Sequence, residues 1–220
     1  FKTNKNHNHL KKKAFIALAI LFITLVIDQW IKIEVKTNFY LGESVTITEW
    51  FKILFIENNG MAFGWEIGGK IFLTTFRIIA VSFLGWLILK QIKQNAPIGF
   101  IICLVLIMAG AAGNIIDCLF YGMIFNESTP FQIAEFVQSG EGYSHFMTGK
   151  VVDMFYFPLI EWDMPNYPLL PYAGEHCIFF SPIFNFADAT ISCGMILIFI
   201  FYAKRLNSTI NQLTSKNKED

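Results

Sequence analysis

The sequence predicts an integral membrane protein, mainly α-helical, with four transmembrane helices, a small extracytoplasmic β-sheet and an extended second outer loop. Three observations predict it. Of 220 residues, 54% are hydrophobic and 24 are phenylalanine, with a mean hydropathy of +0.48, too apolar for one soluble core of this size. The apolar residues gather in four runs that approach the roughly 20 needed to cross hydrocarbon. The charges sum to zero, yet their signs are segregated along the chain.

The runs are residues 14–33, 71–89, 98–120 and 183–203. A lysine cluster precedes the first, as in a secretory signal. The run exceeds the roughly 7–15 apolar residues of a signal core and ends in Asp28-Gln29-Trp30 rather than at a small-residue cleavage site, so it reads as a retained span. Lys2, Lys5, Lys11, Lys12 and Lys13 precede it, Lys90 and Lys93 follow the second run, and Lys204, Arg205, Lys216 and Lys218 end the chain. With four spans these three regions share one side, and the positive-inside bias makes it cytoplasmic. Both termini are then inside, and the loops 34–70 and 121–182 lie outside. Residues 1–206 read as one membrane domain that includes these loops.

In the first loop, residues 39–56 alternate partly and are rich in β-branched and aromatic types, which predicts two or three short strands. Turn residues follow in Glu57-Asn58-Asn59-Gly60. In the second loop the apolar run 151–160 is too short to cross and ends near Pro158, so it reads as a strand or interfacial segment. Beyond Leu206 the polar tail, 207–220, shows no apolar face and is expected to be disordered.

Cys103 and Cys193 fall within spans and read as packing residues, while Cys118 and Cys177 both face outward, with no spacing that fixes a disulfide between them. His7, His9, His145 and His176 show no metal-ligand spacing. The reading therefore requires no metal and no organic cofactor. The basic residues are explained by topology and anionic lipid, not by nucleic acid.

Asp153 and Asp188 stand in surroundings so apolar that each carboxyl needs a reason. An ionisable group in hydrocarbon costs roughly 2.5–3.5 kcal/mol on insertion scales and is usually paired, cavity-facing or functional. Two together make a candidate acid/base pair. At a rise of 1.5 Å per residue, Asp28, Asn114, Asp117, Asn185 and Asp188 all fall toward the outer ends of their spans. Asn114 and Asp117 are three apart, as are Asn185 and Asp188, so each pair shares a helix face. Asp28 and Lys32, four apart, are expected to form a local ion pair. Asp117 has a structural reading too, as a carboxyl accepting amide hydrogens from a neighbouring loop. Asp188 has no basic residue at i±3 or i±4, so its partner must come from elsewhere. The run Ala109-Gly110-Ala111-Ala112-Gly113 predicts close helix packing beside Asn114.

Asp28-Gln29-Trp30-Ile31-Lys32, Glu57-Asn58-Asn59-Gly60-Met61-Ala62-Phe63-Gly64, Gly110-Ala111-Ala112-Gly113-Asn114-Ile115-Ile116-Asp117, Val151-Val152-Asp153 and Phe184-Asn185-Phe186-Ala187-Asp188 together, in this order, resemble the lipoprotein signal peptidases. This family is also called signal peptidase II or prolipoprotein signal peptidase. The resemblance implies a bacterial membrane aspartic endopeptidase with Asp153 and Asp188 as its catalytic pair. It further implies that Asp28, Lys32, Asn58, Gly60, Asn114, Asp117 and Asn185 bind substrate or support the site. The implied substrate is a prolipoprotein whose lipobox cysteine carries diacylglycerol, cut on the amino side of that cysteine. Globomycin-type cyclic peptides are the implied inhibitors and membrane lipids further partners. Four spans with short inner loops permit a monomer.

Two features depart from the family pattern. Cys118 stands where the family usually has arginine, and the stretch between Asp117 and Asp153 is longer, with an insertion around 125–149. Two rival readings of the polar residues are a small ion- or proton-coupled transporter and a structural protein whose Asp and Asn residues bond helices together.

Overall fold

The computed structural model describes residues 2–59, 69–163, 176–179 and 182–216. The predicted turn at Gly60, the motif residues 61–64 and three prolines of the second outer loop lie outside them, as does the side chain of Cys177. The chain divides into two units, residues 1–29, 72–116 and 187–220 in the first, and 30–71 and 117–186 in the second.

Helices α1 (Lys2–Asn38) and α2 (Gly69–Lys93) each cover the predicted run with a turn or more to spare. Helix α3 (Ile98–Ile116) passes into a π-helical turn at Asp117–Tyr121 and a final short turn, α4 (Gly122–Ile124). Among the described residues, three stretches are long and apolar enough to cross a membrane: Asn8–Asn38, Gly69–Lys93 and Ile98–Ile124. The fourth differs from expectation. Ile183–Phe184 is a strand, and α5 (Phe186–Phe201) ends at Tyr202, where the chain bends by 96° into α6 (Ala203–Lys216).

Helix α6 corrects the expectation of a disordered tail, and it runs through the predicted domain end at Leu206. Leu206 and Leu213 lie two turns apart on one face and pack on the first unit's core, and Thr209 between them is buried. Arg205 donates through Nη2 to Gln91 Oε1 at 2.7 Å, tying α6 to α2. Lys13 Nζ donates to Asn95 Oδ1 at 2.7 Å and Ala96 O at 2.6 Å, fastening α1 to the α2–α3 turn.

The first unit's core is built on Phe100, Ile101, Leu104 and Val105 of α3, joined by Ile88 and Ile92 of α2, Ala17 of α1 and Ile198 of α5. Where lipid supplies no hydrophobic drive, small residues let helices approach. A Cβ on Gly110 would strike Ala187 O and Thr190, and one on Gly194 would meet Cys103 O and Ile107. The predicted small-residue run is therefore the α3–α5 contact. Phe15 and Phe22 of α1, Phe72 and Phe76 of α2 and Phe199 of α5 are exposed, as residues that meet acyl chains are.

The second unit is built on an antiparallel sheet in the order β1 (Ser44–Thr48), β2 (Phe51–Asn58), β3 (Val151–Tyr156), β6 (Ile183–Phe184). Two strands form in the first outer loop, where two or three were expected, and a strand forms at Val151–Tyr156, where a strand or interfacial segment was expected, and they pair. Register sets Ile56 opposite Asp153, Glu57 opposite Val152 and Asn58 opposite Val151. A separate hairpin joins β4 (Ile160–Asp163) to β5 (His176–Phe179). Val35, Phe55, Tyr121, Phe125, Val152 and Met154 form the core. Because Val151 to Met154 are buried in succession, both faces of β3 are covered at Asp153.

Candidate active site

Asp153 lies in β3, 2% exposed. Two asparagine amides converge on it: Asn58 Nδ2, from the end of β2, donates to Oδ2 at 3.1 Å, and Asn185 Nδ2, between β6 and α5, donates to Oδ1 at 2.6 Å. Antiparallel register brings Asn58 beside β3, and the β6 pairing brings Asn185, itself fully buried. The two amides thus fix the carboxyl plane from both sides.

In the first unit, Asp188 occupies the first turn of α5, where a carboxylate is favoured by the helix dipole. The partner that its sequence surroundings could not supply is Asn114, whose Nδ2 donates to Oδ1 at 2.8 Å. Asp28 Oδ1 accepts the Ala187 N–H at 3.0 Å, satisfying one of the amides that open α5. Its Oδ2 accepts from Gln29 Nε2 at 3.1 Å, and Gln29 Nε2 also reaches Gly113 O at 3.3 Å. A Cβ on Gly113 would run into this Asp28 carboxyl.

The amide and carboxyl pairs predicted to share a face therefore reach across the fold. Asn114 serves Asp188, and Asn185 serves Asp153. The π-helical turn begins at Asp117, and Asn185 precedes the first residue of α5, so in neither case does regular α geometry carry the pair. Lys32 Nζ lies 2.8 Å from Asp117 Oδ2, with both side chains fully buried. Sequence spacing suggested Asp28 for Lys32, and the structure adds this long-range partner. The same Asp117 oxygen accepts the Val152 N–H at 3.4 Å, the amide contact foreseen for it, one residue before Asp153.

A second buried cluster escaped the sequence reading. Glu57 receives Lys36 Nζ and Ser128 Oγ on Oε1, while Lys150 Nζ stands 3.0 Å from Oε2. Lys36 also donates to Ser128 Oγ at 2.8 Å. The Tyr143 ring lies 5.1 Å from the Lys36 ammonium and 5.3 Å from that of Lys150, and its hydroxyl accepts the Lys150 N–H. Burial alone would push the Glu57 carboxyl up, but Lys36, by charge and hydrogen bond, and Lys150 together hold it below its ordinary value. Burial pushes the Tyr143 phenol up, out of reach of ordinary pH. Glu57 stood in a quoted motif and Lys150 beside Asp153. The contacts that build the cluster join residues 21 to 93 apart in sequence, which hid it from any local pattern.

Lysine ammoniums reach Asp117 and Glu57, and asparagine amides reach Asp153 and Asp188. A unit charge at 4 Å contributes about 4 kcal/mol at an effective dielectric near 20, whereas a neutral hydrogen bond contributes about 0.5–1.5. A lysine partner holds a carboxyl by charge, whereas an amide hydrogen bond orients it. Cys118 is buried at the position where sequence comparison expects arginine. Among the described residues, no group of three or more His, Cys, Asp or Glu side chains stands together as a metal site.

Comparison with known proteins gives one consistent answer. Residues 20–204 match the family model for signal peptidase (SPase) II. A lipoprotein signal peptidase of Porphyromonas gingivalis is 48% identical over 194 residues, covering 87% of this chain and 84% of that protein. One from Amoebophilus asiaticus is 34% identical over 196 residues, covering 86% and 78%. A solved structure described as "Bacterial membrane enzyme structure by the in meso method at 2.3 A resolution" shares the fold. Its TM-score is 0.59 at 22% identity, over 88% of this chain and 90% of that one.

Proposed function

The chain belongs to the signal peptidase II family, and from that membership we propose that it is a membrane aspartic endopeptidase, with Asp153 and Asp188 as its catalytic pair, that cleaves signal peptides from prolipoproteins. The observation that carries the assignment of residues is the amide coordination of these two acids. Asn185, bonded to Asp153, stands three residues before Asp188 in the chain.

Two carboxyls acting on one peptide bond cannot both ionise in close quarters, so they share a proton and titrate as a pair. One carboxylate takes a proton from water as its oxygen attacks the scissile carbonyl. The other donates to the carbonyl oxygen, and the leaving amine collects a proton as the C–N bond breaks. Asn58, Asn185 and Asn114 hold the carboxyl planes during this exchange, and Asp28 and Lys32 hold the backbone around them. Gly60 remains a site-supporting residue by family resemblance, and it lies outside the described residues.

The substrate is a diacylglyceryl-modified prolipoprotein, cut on the amino side of the lipidated cysteine, with acyl chains left in hydrocarbon. The basic flanks support an orientation with both termini cytoplasmic and the site near the outer face. A monomer suffices for this chemistry, and a globomycin-type cyclic peptide is expected to compete for the pair. Nothing among the relatives favours transport.

The test is cleavage of a diacylglyceryl-modified prolipoprotein by the reconstituted protein, comparing wild type with Asp153→Asn and Asp188→Asn. General acid–base groups contribute about 10²–10⁴-fold, and each variant should lose that much with its helix content unchanged. Full cleavage by either variant would sink the pair, and proton-driven flux without cleavage would restore the transporter.

A further inference from the structure

The insertion at 125–149 is tightly ordered, yet it presents large apolar side chains outward. Phe125 and Ala134 are fully buried, and Phe136 packs on Phe125 with ring centroids 4.5 Å apart. At its tip, Thr129 N–H donates to Gln132 O at 3.0 Å, and Thr129 Oγ1 accepts the Phe131 N–H. These bonds fix a tight turn around Pro130-Phe131. Phe131 is nevertheless 91% exposed, and Phe136 and Phe146 are 61% and 51% exposed. A turn held by its own hydrogen bonds has no structural need for phenylalanine at its most exposed position, so the side chain answers to something outside the chain.

Two contacts set the level of the insertion against the membrane spans. Leu41 N–H donates to Thr129 O at 3.1 Å, three residues past the end of the Asn8–Asn38 span. The apolar run of that helix ends at Ile33, so Asn38 stands about 7.5 Å beyond it at 1.5 Å per residue, in the headgroup layer. At the insertion's other end, Phe146 packs on Phe120 with centroids 6.0 Å apart. Phe120 is itself exposed near the end of the Ile98–Ile124 span. Twenty-two residues separate it from Ile98, a rise of about 33 Å, close to the full hydrocarbon thickness of about 30 Å. Phe146 thus extends the exposed surface that Phe120 presents, and the Phe131 turn is tied to the chain just past the end of the first helix.

We propose that the 125–149 insertion is a lipid-anchoring skirt, with Phe131 and Phe146 seated in the acyl-chain and headgroup boundary of the outer leaflet. Its occupant is phospholipid, and the assignment concerns the bilayer and not the reaction. Phenylalanine is among the apolar residues that surface-lying segments bury at the headgroup and acyl boundary. At the tip the Phe131 and Gln132 N–H groups are both held by Thr129, so the turn presents Phe131 with those donors satisfied.

Nitroxide labels at Phe131→Cys, Phe146→Cys and Glu141→Cys would be introduced separately, with Cys193→Ser and Cys177→Ser removing competing thiols. The full chain would be reconstituted in phosphatidylethanolamine–phosphatidylglycerol vesicles. Power saturation then reads collision with oxygen, which partitions into lipid, against a water-soluble nickel chelate. Labels at 131 and 146 should show an oxygen-to-nickel ratio well above that of exposed Glu141. A ratio at either position equal to that at 141 would overturn the proposal and leave Phe131 as a contact for a protein partner in water. The readout does not depend on cleavage, so it stands or falls apart from the assignment of Asp153 and Asp188.

Discussion

Replacing Lys32 with methionine would remove one half of an ion pair whose side chains are both fully buried, with Nζ and Oδ2 2.8 Å apart. At an effective dielectric near 20 the attraction at that distance is about 6 kcal/mol. Burying each ion costs several kcal/mol, so the intact pair contributes little net stability, whereas removing one partner typically costs about 3–5 kcal/mol. Lys32→Met should therefore destabilise the protein by about that amount, and Asp117→Asn should do likewise by leaving the ammonium without its carboxylate. The double variant should lose less than the sum of the two single ones, because the second substitution no longer breaks the Lys32–Asp117 attraction and asparagine still offers a carbonyl to the Val152 N–H. The assay is equilibrium unfolding in mixed micelles, followed by circular dichroism, as a double-mutant cycle. Losses that add to within about 0.5 kcal/mol would refute the coupling. Cleavage should fall in both single variants as well, since Asp117 holds the strand at the residue preceding Asp153.

Asn58→Ala should lower kcat by up to about tenfold while leaving KM nearly unchanged, since it removes one neutral hydrogen bond of about 0.5–1.5 kcal/mol from Asp153; steady-state kinetics would read the split. The Glu57 carboxyl sits below its ordinary value of 4.5, so its contribution to stability is complete above about pH 4.5 and is lost as pH falls through the depressed folded value. Melting temperature against pH should show that acid limb in wild type and lose it in Glu57→Gln, which should also melt lower at neutral pH because Lys36 and Lys150 lose their shared carboxylate. Gly110→Ala should cost about 1–3 kcal/mol by overpacking, as the atom it meets is the Ala187 carbonyl oxygen, which belongs to backbone and cannot turn aside; thermal unfolding would measure it.

The sequence made Asp153 and Asp188 legible because an acid in an apolar run is conspicuous without any knowledge of its neighbours. Strands β2 and β3 were legible for a related reason, through alternation and length. Partnership was not. Asn114 and Asp188 are 74 residues apart, Asn58 and Asp153 are 95 apart, and pairing at that range is decided by sheet register and helix packing, which local spacing does not encode. Lys36 lies just past the first apolar run with no local pattern to mark it, and the fold brings it to Glu57 and Ser128. Helix α6 was misread because its apolar face is thin, Leu206, Ile210 and Leu213 among polar neighbours, and because no proline or glycine marks the bend at Tyr202. Its order comes from docking on the core, which propensity does not foretell.

The choice of asparagine to hold Asp153 and Asp188 also sets a clock on the protein. Side-chain amides hydrolyse slowly with age, and conversion of Asn58 to aspartate would replace the donor 3.1 Å from Asp153 with a third acid. A like charge so close would raise the proton affinity of the pair and exchange an attraction for a repulsion at the strand that carries Asp153. An aged preparation would then carry inactive molecules one mass unit heavier than the rest and otherwise fully folded, and the same chemistry at an exposed asparagine such as Asn38 would leave cleavage untouched.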